Sequence, residues 1–228
     1  MNSADRNIFL EGEIVYLRKV NIEKDVYNGD WHQWFNDKEI TKYLVHGIYP
    51  NDKEEQARIT EEQLKNKSTL MLTIVNKSTD QSIGVITLKT IDLINRTAEI
   101  GMVLGFAKVK GAAIESIALL TQHGFDRLNL VKIYAGQHIG LWKWVNTLET
   151  IGYKLEGYRR NMGFKEGKPY DIVLTGITCE DYYKLKETRG GKLIDSFDKI
   201  YARKRKENII PELKNFLEQL NKNTNEVL

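Results

Sequence analysis

The hydrophobic and polar positions along the chain predict several strands with helices between them. Residues 70–76, 82–91 and 97–104 form three successive stretches of β-forming residues separated by short polar turns, so we expect an antiparallel meander. A further strand, at residues 130–135, follows a predicted helix and would lie parallel to residues 97–104 through a βαβ crossover. The remaining predicted strands are residues 13–20, 153–158 and 170–177, the last two as a hairpin.

Apolar residues at helical spacing predict the helices. Trp31, Trp34 and Phe35 recur three and four residues apart, which gives one apolar face to a helix that opens near Asn21. Further helices are predicted at residues 37–44, 53–67, 111–128, 140–151 and 178–187. The sequence therefore predicts an α+β fold with a mixed, mostly antiparallel sheet.

The chain changes character after Thr188, where two glycines end the last helix. We expect residues 1–188 to form one domain and residues 189–228 a helical C-terminal extension. Pro211 suits the first turn of a helix whose apolar face carries Leu213, Phe216, Leu217 and Leu220. We expect that face to be buried against the body of the protein or a second copy, with an anionic membrane surface as a third alternative.

Composition and charge narrow the class of partner. The net charge of +3, from 34 basic and 31 acidic residues, is too balanced to indicate a nucleic-acid binder, so the partner is expected to be small. No apolar run reaches the roughly 20 residues of a membrane span, and the first residues do not resemble a secretory signal. The lone Cys179 cannot form an internal disulfide. We therefore expect a cytoplasmic protein.

A basic, glycine-containing turn connects the strand at residues 97–104 to the next helix. The first backbone N–H groups of a helix have no partner within the helix and carry the positive end of its dipole, which attracts phosphate groups. Lys108 and Lys110 would add positive charge, and Gly111 would let the phosphates approach the backbone closely. This turn is typical of a diphosphate site.

The segment from Lys108 to Ala113 resembles the Q/R-x-x-G-x-G/A motif of the GNAT N-acyltransferases, with lysine in the first position. Residues 148–157 and 170–177 resemble two later segments of the same family, and the similarity extends from about Gly12 to about Tyr183. The resemblance implies a GNAT fold with two splayed central strands flanked by helices. It also implies acetyl-CoA as the cosubstrate and transfer of the acetyl group to a primary amine, without a metal ion.

The resemblance also implies a set of cofactor-binding residues. Backbone groups near Met102, Val103 and Leu104 would hold the pantetheine arm, and Lys143 lies in the helix that follows the splayed strands. The turn and helix start that would bind the diphosphate are Lys108, Val109, Lys110, Gly111, Ala112, Ala113 and Ile114.

Proton transfer requires a base near the amine and an acid near the leaving thiolate. Glu99 is the first candidate base, because burial beside Ile100 and Met102 would favour its protonated form; the alternative is a carboxylate paired with a basic residue across the sheet. His46 and His138 are rival bases. The tyrosine that the family often uses as the acid is replaced by Leu148, so Tyr134, Tyr153 or a water molecule would take its place.

The amine acceptor is the least determined part of the function. The sequence most resembles bacterial enzymes that acetylate nucleotide-linked deoxyamino sugars for surface polysaccharide or glycoconjugate synthesis, with His46 and Tyr49 in a loop that would form a substrate wall or an ordinary surface loop. A protein N-terminus or a polyamine is the alternative acceptor. A GNAT-like domain that binds CoA without turnover is a second class, and a homodimer remains possible.

Overall fold

One mixed sheet of eight strands, in the order β1-β2-β3-β4-β5-β6-β8-β7, organises the chain. The computed structural model describes residues 7–106 and 108–225, except for the side chains of residues 220–225. The strands are β1 (Ile8–Glu11), β2 (Val15–Lys19), β3 (Leu70–Asn76), β4 (Gln81–Asp92), β5 (Thr97–Leu104), β6 (Lys132–His138), β7 (Lys154–Lys165) and β8 (Lys168–Thr178).

Only the β5–β6 pair in this sheet is parallel, and the other neighbouring strands are antiparallel. The predicted meander and the crossover are therefore confirmed. Strand β1 has no counterpart among the predicted strands. The terminal hairpin is longer than predicted, because its strands continue to a two-residue turn at Glu166 and Gly167, both with positive φ.

Eight α-helices surround the sheet in the described part of the chain. They are α1 (Trp31–Asn36), α2 (Lys38–Thr41), α3 (Lys53–Lys65), α4 (Ala112–Asp126), α5 (Trp142–Glu149), α6 (Cys179–Thr188), α7 (Phe197–Arg203) and α8 (Ile210–Asn225). A π-helical segment, Ile22–Tyr27, precedes α1, and a 3-10 turn, Ile139–Leu141, precedes α5. The single helix expected through Phe35 is therefore interrupted between Tyr27 and Trp31. Gly29 lies in this interruption, where a Cβ atom would come within 2.2 Å of the Asp25 carbonyl oxygen.

The helices divide between the two faces of the sheet. The larger core lies on one face, where Ile117, Leu120 and Phe125 of α4 pack on the strands with Leu193 and Ile200 of the C-terminal extension. Trp31 and Trp34 of α1 pack on the opposite face with Val85 of β4. Both tryptophans are almost fully buried, as expected for core residues.

The C-terminal helix contacts the protein by a different residue from those expected. Ile210, which is 3% exposed, packs with Val145 and Val173, whereas Phe216 is 57% exposed and is not buried by the rest of the chain. Leu213 and Leu217 are half-buried, and the side chain of Leu220 lies outside the described residues. The expected burial of Phe216 against the body of the protein is therefore wrong, and the domain boundary after residue 188 stays a prediction.

No helix in the described ranges has the length and hydrophobicity needed to cross a lipid bilayer.

Candidate active site

The two central strands diverge, as expected. Their pairing covers only Thr97–Glu99 of β5 against Lys132–Tyr134 of β6, although β5 continues to Leu104 and β6 to His138. Beyond the pair formed by Glu99 and Tyr134, the side of β5 that faces β6 has no strand partner, so its outward backbone N–H and C=O groups face a gap. This gap could hold an extended ligand with amide groups.

Glu99 lies on the face of the sheet opposite the larger core. Successive residues of a strand face opposite sides, so Ile100 is buried in that core while the Glu99 side chain is 27% exposed on the other face. Its Oε1 lies 3.0 Å from Nζ of Lys89 on β4. The apolar surroundings that we expected for Glu99 are therefore wrong, and the alternative, a carboxylate in a cross-strand ion pair, is the one present.

Tyr134 is the neighbour of Glu99 on β6. Its hydroxyl lies 3.4 Å from Oγ1 of Thr90, at the last paired position before the gap. Tyr153, the other candidate acid, is 1% exposed and shares a 2.8 Å hydrogen bond with Thr121. Burial raises the pKa of Tyr153 far above its usual value, so it cannot donate a proton to a bound substrate. Leu148 is a core residue.

His46 packs against Phe35 with 4.9 Å between the ring centroids. Burial lowers the pKa of His46, and the positive charges of Lys89 and Lys165 lower it further. The imidazole is therefore neutral at pH 7 and near the lysine that pairs with Glu99. Val45, Ile48 and Tyr49, in the same loop, are each at least 69% exposed. An exposed apolar loop beside the gap is compatible with the predicted substrate wall.

His138 is less suited to act as a base. Its ring lies between those of Tyr43 and Tyr170, at centroid distances of 4.9 and 4.3 Å. Its Nδ1 accepts a 2.9 Å hydrogen bond from the backbone N–H of Gly140, so the neutral ring carries its proton on Nε2. Burial, followed by the charge of Lys165, lowers the pKa of His138. A general base needs a nitrogen with a free lone pair. The hydrogen bond from Gly140 occupies the lone pair on Nδ1, and Nε2 carries the proton.

Lys89 and Lys165 are the residues of this region that sequence reasoning missed. The Lys165 ammonium donates to the carbonyl oxygens of Thr41 and Leu44, the latter at 2.8 Å, and so fastens the tip of the terminal hairpin to the segment before His46. The predicted hairpin strand ended at Tyr158, which left Lys165 in a loop. The sequence around Lys165 did not indicate that its ammonium group contacts the carbonyl oxygens of Thr41 and Leu44.

The glycine of the predicted diphosphate turn has a left-handed backbone conformation. Gly111 has φ of +87° and precedes α4 without providing a side-chain cap, which leaves N–H groups of the first turn for another acceptor. Lys108 and Lys110 are exposed, Val109 and Ala113 are half-buried, and Ala112 and Ile114 are buried. A Cβ at Gly111 would lie 2.5 Å from Cδ1 of Ile14 and 3.0 Å from Cε1 of Phe197. Glycine is therefore required here by packing as well.

Other candidate cofactor residues lie on either side of the gap. Met102 and Leu104 of β5 pack against the larger core, and Val103 packs against the smaller one, so the backbone of β5 is held from both faces. Lys143 is exposed in the first turn of α5, with its Nζ 5.4 Å from the ring centroid of Trp142.

A buried carboxylate holds the start of α4 in place. Glu115 is 5% exposed, and its two oxygens accept hydrogen bonds from the backbone N–H groups of Glu13, Ile14 and Val15 at 2.7, 2.8 and 2.8 Å. A Cβ on Gly12 would lie 2.4 Å from this carboxylate. Three backbone donors thus fix the first turn of α4 against the turn between β1 and β2.

Comparisons with known proteins agree with this geometry. Residues 15–154 match the family model described as an acetyltransferase (GNAT) domain. The chain is 30% identical over 177 residues to an uncharacterized N-acetyltransferase, p20, of Bacillus licheniformis, covering 75% of this chain and 96% of that protein.

Solved structures show the same fold. A spermidine N-acetyltransferase from Vibrio cholerae, in complex with CoA and spermine, is similar with a TM-score of 0.68 and 22% identity, over 75% of this chain and 99% of that one. A GCN5-related N-acetyltransferase from Brucella melitensis has the same TM-score and identity over 83% of this chain and 86% of that one.

Proposed function

Because the chain belongs to the GNAT acetyltransferases, which use acetyl-CoA, we propose that it transfers the acetyl group to a small primary amine bound beside Glu99. The observation that carries this proposal is the gap between β5 and β6, with Glu99 and Tyr134 at the point where it opens. The pantetheine arm would lie in the gap, with its diphosphate at the turn that contains Gly111.

We assign Glu99 the binding of the acceptor amine. Its present partner, Lys89, is about half exposed, and exposed ion pairs contribute little free energy, so an incoming ammonium group can replace the lysine. His46, neutral at pH 7, would remove the proton from that ammonium or relay it through water. The neutral nitrogen then attacks the thioester carbon, and the C–N bond forms. As the C–S bond breaks, Tyr134 would give its proton to the leaving thiolate and recover one from the nitrogen, directly or through water, which leaves a neutral amide and a free thiol.

The comparisons support a polyamine acceptor better than the nucleotide-linked amino sugar expected from the sequence. The solved structure from Vibrio cholerae contains spermine, and its similarity to this chain makes polyamines the first acceptors to test. A specific observation keeps the sugar nucleotide as the second candidate. Lys89 and Lys165 both lower the pKa of His46 by their charge, and such positive surroundings favour an acceptor that carries phosphate.

The acceptor can be identified by thiol release from acetyl-CoA with spermidine, spermine and nucleotide-linked amino sugars. We expect turnover with spermidine or spermine; turnover confined to the sugar nucleotides would overturn the polyamine assignment. Lys165→Ala should improve turnover of a polycation and impair that of a sugar nucleotide.

Glu99→Gln tests the role of the carboxylate. We expect the variant to lower kcat/KM for the amine by about 10- to 150-fold, the range for losing one charge-assisted hydrogen bond, with little change in the KM for acetyl-CoA. Glu156→Gln is the matched control, because Glu156 of β7 forms a similarly half-exposed ion pair, which reaches across β8 to Lys132 of β6 at 2.7 Å. If both variants retain activity within a few-fold of the wild type from pH 6 to 9, Glu99 has only a structural role.

A further inference from the structure

The C-terminal extension contacts the predicted diphosphate turn directly. Phe197, the first residue of α7, packs against Gly111, and the Nζ of Lys110 lies 4.9 Å from the ring centroid of Tyr201. Helix α7 is itself firmly held, because Ile200 is fully buried in the larger core and Arg203 forms a two-point ion pair with Asp195 at 2.5 and 3.0 Å. The turn thus rests on a segment outside the part of the chain that matches the family model.

The residues after α7 are fastened to α5. The Nδ2 of Asn146 donates to the carbonyl oxygens of Arg205 at 3.0 Å and Glu207 at 2.8 Å. Asn146 follows Lys143 by three residues, so the two lie on the same side of α5. Lys204, which directly precedes Arg205, is therefore held near Lys143.

These contacts gather positive charge without neutralising it. Within the described residues, no carboxylate lies within 4.0 Å of the ammonium group of Lys108, Lys110, Lys143 or Lys204. Burial lowers the pKa of Lys204, and the positive charge of Lys143 lowers it further. Unpaired like charges on a turn, a helix start and an extension repel one another, and a bound polyanion would remove that repulsion.

We infer that the C-terminal extension completes the acetyl-CoA site: Lys204 joins Lys110 and Lys143 in binding the phosphate groups of the cofactor, and Tyr201 positions Lys110. This inference rests on the proposed placement of the diphosphate at the Gly111 turn. It assigns binding residues to a segment that lies beyond residues 15–154, the range of the family match. The extension then contributes to cofactor affinity as well as to the core.

The test is calorimetric titration of three ligands into the full-length protein. CoA carries a diphosphate and a 3′-phosphate, dephospho-CoA only the diphosphate, and pantetheine no phosphate. We expect Lys204→Gln to raise the Kd for CoA by about 5- to 30-fold, the range for losing one charge-assisted hydrogen bond to a partly exposed group. The Kd for pantetheine should not change. A loss that persists with dephospho-CoA places Lys204 at the diphosphate, and a loss confined to CoA places it at the 3′-phosphate.

Three further variants make the result specific. Lys199→Gln is the matched control, since Lys199 lies on α7 just before Lys204 with its side chain 70% exposed. The affinity of this variant for CoA should stay within twofold of the wild type. Lys204→Arg keeps the charge and should retain affinity within about threefold. Tyr201→Leu should weaken CoA binding by about threefold, because a cation–π contact at an exposed site is weak.

The inference is overturned if Lys204→Gln, folded with an unchanged melting temperature, binds CoA within twofold of the wild type. It is also overturned if the variant loses affinity for pantetheine to the same extent, because the effect would then not depend on phosphate. A wild-type protein that binds pantetheine as tightly as CoA would instead refute the placement of the diphosphate at the turn.

Discussion

Replacing Glu115 by glutamine should destabilise the protein and loosen the turn that is proposed to bind the cofactor. In the native state, Oε2 of Glu115 accepts from Ile14 and Val15, and Oε1 accepts from Glu13. An amide has one oxygen and one NH₂ group. If its oxygen takes the place of Oε2, two hydrogen bonds remain, and the NH₂ group faces the N–H of Glu13, donor against donor.

The expected loss of stability can be worked out from the three hydrogen bonds that the Glu115 carboxylate accepts. One charge-assisted hydrogen bond is lost, at about 1.5–3 kcal/mol, and the two that remain become weaker because their acceptor is neutral. Glu13 is an exposed residue, so water can satisfy part of the freed donor. We therefore expect a loss of about 2–3 kcal/mol in the free energy of unfolding, which corresponds to a fall of about 4–12 °C in Tm for a chain of this size.

Urea denaturation followed by circular dichroism measures this loss, and calorimetric titration with CoA reports the effect on the turn. Glu62→Gln is the matched control: it removes a carboxylate from an exposed helical pair with Arg58 and should change stability by about 0.5 kcal/mol or less. If Glu115→Gln is no more destabilising than Glu62→Gln, the carboxylate does not fix α4 against the β1–β2 turn.

The other predictions concern the tail and the response to acid. Ile210→Ala should lower the free energy of unfolding, measured by urea denaturation, by about 2–4 kcal/mol because Ile210 is buried. Phe216→Ser should change it by about 0.5 kcal/mol or less, and equal losses would contradict the observed packing of α8. Burial, and then the positive charge of Arg127, lower the pKa of His123 in the folded protein below its usual value of 6.5. As the pH falls, the unfolded chain therefore takes up the proton first, and the contribution of His123 to stability is lost below pH 6.5. His123→Phe should make the fall in stability between pH 7.5 and 5 shallower than in the wild type, and an unchanged slope would show that this histidine is not responsible.

Sequence patterns predicted the elements whose own residues determine them. The meander β3–β5 was placed within one residue at each strand end, because polar turn residues separate three continuous stretches of β-forming residues. The helices predicted to begin at residues 53 and 178 begin within one residue of these positions, where the side chains of Asp52 and Thr178 accept hydrogen bonds from backbone N–H groups three residues on. Helix α4 was predicted from the helical spacing of its apolar residues. The parallel crossover was predicted because residues 130–135 form a strand that follows this helix.

The surroundings of the candidate base could not be predicted in the same way. Glu99 was correctly placed in a strand, but its partner depends on the register between β4 and β5, which sets Lys89 opposite it. A shift of one residue would exchange the faces of a strand, and the residues on either side of Glu99 do not fix that register. Charge pairing across a sheet is thus a property of two strands together, which the residues of one strand do not contain.

The C-terminal extension looked separable from the domain for a similar reason. Its glycines and basic residues are typical of a boundary, and the apolar face of its last helix suggested where it would attach. Yet Phe197 and Tyr201, which are separated from the Gly111 turn by almost 90 residues, contact that turn, while Phe216 remains exposed. Apolar spacing predicts that a helix has a face to bury but does not identify what that face meets. The contacts of Phe197 and Tyr201 with the Gly111 turn matter for function, because they bring Lys204 toward the lysines that are proposed to bind the cofactor.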